Sequence, residues 1–139
     1  MLLIICSSRA NPPPGVTSAQ LAANLADVHV QRLAYMYQAA VDYMVLSCAS
    51  PCIRGISDPV AVEVLATSAN NNLATLISNN TARFGAFAAL SMHNATSAGD
   101  ELRRAVQELG FLGALVNDYQ QSGADNGMSK VNIHNKTPF

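Results

Sequence analysis

Residues Arg83–Asp118, RFGAFAALSMHNATSAGDELRRAVQELGFLGALVND, place one helical period between two short apolar runs. Phe84–Leu90 suits a strand buried on both faces, with Gly85 and several alanines allowing close packing. Asn94 is positioned to cap a helix bearing Ala98, Leu102, Ala105, Val106 and Leu109 on one stripe. Gly110 follows in the left-handed position that ends helices, and Phe111–Val116 is the next strand. A strand–helix–strand unit of this length predicts parallel strands joined by a helical crossover.

The same alternation extends upstream. Pro12, Pro13, Pro14 and Gly15 make an irregular, stiff segment over residues 1–17. Thr17 or Ser18 then caps a helix expected over 18–40, with Leu21, Leu25, Val28, Leu33, Met36 and Ala40 at steps of mostly three or four. Tyr43–Ser47 is a short buried strand, and Cys48–Ser57 a loop. Asp58 and Pro59 start a second helix, a cap followed by proline at the first helical position. Val62, Leu65, Ala66, Ala69, Leu73, Leu76 and Ile77 form its stripe, which the mediocre helix formers Asn70–Asn72 weaken. The order over 18–118 is α-β-α-β-α-β. Periodicity leaves open whether these strands form an open doubly wound sheet or part of a barrel. Residues 119–139 show no core face and are expected to be an irregular tail.

Composition narrows function by exclusion. Charged residues are 12% of the chain, about half the usual share of roughly 25%, and the net charge is −1. Neither favours binding to nucleic acid or an anionic membrane. The start, MLLIICSSRA, is too short an apolar run for a signal or membrane segment, which suggests a cytoplasmic protein. Sequons at Asn79, Asn94 and Asn135 are then chance matches. Three cysteines, Cys6, Cys48 and Cys52, are expected to form no disulfide framework, with Cys48 and Cys52 two ordinary loop thiols.

Parallel α/β folds carry function at the C-terminal ends of their strands. Here those are Ser47–Pro51, Ser91–Asn94 and Asn117–Gln121. His93 follows a strand, but without a His or carboxylate partner nearby it reads as a structural or loop-capping residue. His29 reads as a partly exposed helix residue, and His134 carries no assignment. Asn117 either faces a substrate or, with Asp118, satisfies loop backbone groups. Asp100, Glu101, Arg103 and Arg104 read as a solvated helix face with an Asp100–Arg104 pair. No phosphate loop, Ser-His-Asp order, HxH or HExxH is present.

Seven segments carry a resemblance: RLAYM (Arg32–Met36), YMVLS (Tyr43–Ser47), ASP (Ala49–Pro51), DP (Asp58–Pro59), RFGAFAALSMH (Arg83–His93), ELRRAV (Glu101–Val106) and GFLGALVND (Gly110–Asp118). In order and spacing, from Leu25 to Gly127, the chain resembles the metal-dependent aromatic-acid decarboxylases of the amidohydrolase superfamily, in particular the 2,3-dihydroxybenzoate type. The resemblance implies a partial (β/α)8 TIM barrel, with this chain supplying strands two to four. It implies nonoxidative decarboxylation of a hydroxylated aromatic acid at a divalent metal, zinc or manganese. A related hydrolase is the alternative within the superfamily.

The family's acidic and His metal ligands have no counterparts here, so no metal is expected on this chain alone. Ser50, in the loop after strand two, and Asn117, after strand four, match substrate-side positions. A barrel of this class needs roughly 250 residues. Three strands leave open edges that invite self-association or pairing with a longer relative, the noncatalytic alternative. The tail KVNIHNKTPF departs from the family pattern, as a truncated reading of a longer chain would.

Overall fold

A computed structural model of the chain describes residues 14–48, 52–53, 56–116, 119–121 and 128–130. Most of the irregular N-terminal segment lies outside them. The single helix expected over 18–40 is two helices, α1 (Ser18–Ala26) and α2 (Gln31–Gln38). Thr17 and Gln20 form a reciprocal capping box at the start of α1. Asp27 makes the break. Its carboxylate accepts the backbone N–H groups of His29, Val30 and Gln31 at 2.8–3.0 Å, donors that a continuous helix would have bonded internally. The bonds from Val30 and Gln31 hold that carboxyl below its ordinary range. His29 therefore sits in a turn, where its Nδ1 accepts from Asn80 Nδ2 at 3.0 Å.

Three parallel strands follow, β1 (Met44–Leu46), β2 (Phe84–Ala88) and β3 (Gly113–Ala114), in the spatial order β1-β2-β3. Met44 pairs with Phe84, and Ala88 with Ala114. Between them run α3 (Pro59–Ile77) and α4 (Ala95–Gln107). Asp58 caps α3 through Val60 and Ala61, and Asn94 caps α4 through Thr96 and Ser97. Gly110 takes φ +71° after α4, the left-handed turn that returns the chain to the sheet. At the N-terminal end of the sheet, Arg83 ties the strands together. Its guanidinium donates to the carbonyls of Asp42 and Val41, just before β1.

Side chains alternate across β2. Phe84, Ala86 and Ala88 turn toward the helices, in a core with Met36, Leu73, Ile77, Ala105 and Phe111. Burying a large member such as Leu73 or Phe84 stabilises the fold by roughly 1.5–3 kcal/mol. A second cluster joins Ile53, Val62, Ala66, Ala69 and Ala89 beneath the loop that follows β1. On the opposite face, Gly85 leaves room for Tyr43 and Leu112, and Tyr43, Val45 and Leu112 are exposed.

The stretch expected to be irregular after residue 118 contains paired backbone. Tyr119–Gln121 (β4) and Met128–Lys130 (β5) form an antiparallel ladder. Ladder bonds join backbone groups, so a segment without apolar alternation can still make them.

Candidate functional site

The C-terminal ends of the strands place together the loop after β1, residues 89–93 after β2, and Leu115–Val116 after β3. The loop after β1 is closed by a disulfide between Cys48 and Cys52, with Cα atoms 5.5 Å apart. This corrects the expectation of two free thiols. A spacing of four residues carries no pairing signal of its own; Cys52 itself stands in the left-handed region, with φ +49°. Ile53 then plugs into the second core cluster. His93 Nε2 lies 3.1 Å from the Ile56 carbonyl, so a protonated Nε2 donates to it and ties this loop to the one after β2. That is the loop-capping role expected of His93.

Behind these loops lies a polar network that the sequence reading missed. Asn70 is buried on α3, and its carboxamide donates to the Ala89 carbonyl and accepts from the Ala89 N–H. The same Nδ2 donates to Glu101 Oε1 at 2.7 Å. Glu101 also accepts from Thr67 Oγ1 and, through both oxygens, from Arg104 Nε and Nη2. Arg104 Nη1 reaches Asn71 Oδ1. Burial raises the Glu101 carboxyl, but the bonds from Arg104, Asn70 and Thr67 outweigh it and hold the group below its ordinary range. Arg104 is correspondingly raised, chiefly by its bonds to Glu101.

Two expectations about α4 change as a result. Glu101, with 12% of its side chain exposed, is not on a solvated face. The ion pairs are Arg103–Asp100 and Arg104–Glu101, each three residues apart, instead of Asp100–Arg104. Arg104 makes two bonds to Glu101 on its own helix and a third across to Asn71 on α3. The network borders a cleft of about 320 Å³ between α3 and α4, onto which Ser91 and Glu63 also open. Asn70 was recognisable in principle. It stands four residues after Ala66 and three before Leu73, on the buried stripe, where an amide requires partners.

Ser50 and Asn117, the two substrate-side candidates, lie outside the described residues. Among the described residues no group of three or more His, Cys, Asp or Glu side chains could hold a metal ion. The donor set there does not fit the family's metal. No helix among the described residues is long and apolar enough to cross a membrane.

Comparison with known proteins supplies what the local chemistry does not. The amidohydrolase family model matches residues 23–133. Gamma-resorcylate decarboxylase of Rhodococcus jostii is 38% identical over 116 residues, covering 84% of this chain and 35% of that protein. The enzyme of the same name from Polaromonas sp. is 37% identical over 102 residues. A crystal structure of dihydroxybenzoic acid decarboxylase from Polaromonas sp. JS666, with bound manganese and the inhibitor 2-nitroresorcinol, superposes with a TM-score of 0.80 at 32% identity. The match covers 90% of this chain and 37% of that one. A 2,6-dihydroxybenzoate decarboxylase complexed with 2,6-dihydroxybenzoate gives 0.78 at 35% identity. The chain thus spans about a third of the length of the relatives it matches. Its parallel sheet and helices are a fragment of their barrel, and the chain belongs to the amidohydrolase family, among the relatives of its hydroxybenzoate decarboxylases.

Proposed function

We propose that this chain is a scaffold portion of a nonoxidative, divalent-metal-dependent decarboxylase of hydroxylated aromatic acids, and that it is inactive by itself. The observation that carries the reading is the 38% identity to a gamma-resorcylate decarboxylase over 84% of the chain. The relatives' names favour a dihydroxybenzoate substrate; the 2,6-isomer that one of them carries and the 2,3-isomer expected from the sequence resemblance are the two to test. What supports the inactivity is that the described residues offer no cluster of metal-ligating side chains. Ser50 and Asn117 would face the acid from the loops after β1 and β3.

Two assays test this. The purified chain, supplied with manganese or zinc, should release no carbon dioxide from either isomer; metal-dependent release would overturn the inactivity. A chimera with this segment in place of its counterpart in the Rhodococcus enzyme should decarboxylate gamma-resorcylate. A folded but inactive chimera would overturn the scaffold assignment.

A second reading, a noncatalytic association module, is favoured by one observation. Among the described residues, β1 and β3 each have an unpaired edge, beside exposed Tyr43, Val45 and Leu112. Size-exclusion chromatography with light scattering should then give a defined oligomer. A monomer or polydisperse aggregate would count against the module.

A further inference from the structure

At the N-terminal end of the sheet, opposite the strand ends described above, a cleft of about 390 Å³ opens between α1, α2 and the start of β1. Tyr35, Met36, Val41 and Met44 wall it, and Asn24 and Gln31 contribute amides. Its one charged lining residue is Arg32.

Arg32 is poorly matched. Its Nη2 donates to the Leu25 carbonyl at 3.1 Å, and Nη1 faces the Met44 thioether at 3.9 Å, a weak acceptor. Nε is buried without a partner. No carboxylate pairs with this guanidinium among the described residues. A partly buried cation without a counter-ion leaves desolvation uncompensated, and a guanidinium edge suits a carboxylate best. The walls beside Arg32 are mostly apolar, and the space is large enough to admit an aromatic ring. A single arginine would leave the second charge of a phosphate unmatched.

We propose that this cleft binds a small monocarboxylate with an apolar, ring-sized body. The carboxylate takes the Nη edge of Arg32 in place of the Met44 sulfur, and the body lies against Met36, Val41 and Met44. The site is separate from the strand ends and does not depend on the decarboxylase reading.

Benzoate is the probe, titrated into the whole chain in the presence of EDTA and followed by NMR. Binding should saturate, and benzyl alcohol, which lacks the carboxylate, should not bind. Arg32→Gln should weaken benzoate at least about tenfold. Because that change also removes the bond to Leu25, Tyr35→Glu is the second variant. This exposed position lies three residues on, and a carboxylate there would occupy the guanidinium internally. It should abolish benzoate binding while the helical circular dichroism is retained. With EDTA present, three outcomes overturn the proposal: no saturable binding to the folded wild type, equal binding of benzyl alcohol, or unchanged benzoate affinity in folded Tyr35→Glu. Benzoate binding that requires added metal also overturns it, since the acid would then be held elsewhere.

Discussion

Asn70 and Ala89 are joined by two hydrogen bonds, Nδ2 to the carbonyl at 3.0 Å and Oδ1 from the N–H at 2.8 Å. The carboxamide of a helix residue thus completes the ladder of β2 one residue past the strand's end. Leucine would fit the volume and leave both backbone groups of Ala89 buried without partners. Asn70→Leu should therefore lower stability by about 2–4 kcal/mol. An unchanged urea midpoint would show that water replaces the amide at no cost.

Glu101 gives stability a pH dependence of defined sign. Its folded pKa is depressed, so its contribution is fully present above the unfolded glutamate value, near 4.5, and is lost as pH falls through the folded value. Stability should decline on acidification below about pH 5. Glu101→Gln should flatten that decline relative to wild type. Parallel stability–pH curves for the two proteins would remove Glu101 as the cause.

Gly85 should resist substitution for a reason that a second change can relieve. A Cβ there would lie 2.5 Å from Tyr43 Oη and 2.9 Å from Leu112 Cδ1, both ends of flexible side chains. Gly85→Ala should cost about 1–2 kcal/mol. In a Tyr43→Ala background the cost should fall by roughly half or more. An additive double-mutant cycle would mean that the two residues do not meet.

The Cys48–Cys52 disulfide predicts a thiol count. Of the chain's three cysteines, one should react with a thiol reagent in denaturant, and three after reduction. Three reactive thiols before reduction would mean that the loop after β1 is not closed in solution.

The elements with local signals were legible along the chain. Asp58 with Pro59, and Asn94, cap helices where the sequence placed caps, and Gly110 turns the chain as expected. Helix capping, apolar period and proline placement act within a few residues, so a linear reading reaches them. Asp27 shows the limit of that reading. A helical period runs across it, yet its carboxylate captures three backbone donors and splits one expected helix into two.

The candidate site was legible only by position. The sequence determined the α/β class, the parallel crossovers and, through its ordered segments, the amidohydrolase relationship. The tertiary structure alone decided that Glu101 leaves solvent to meet Asn70 and Arg104, that Cys48 meets Cys52, and that Arg32 faces a thioether instead of a carboxylate. Each of these depends on which groups share a buried space after the helices pack on the sheet. The contacts from Asn70 and Asn71 to α4 join residues more than thirty positions apart, and local propensity carries no information at that range.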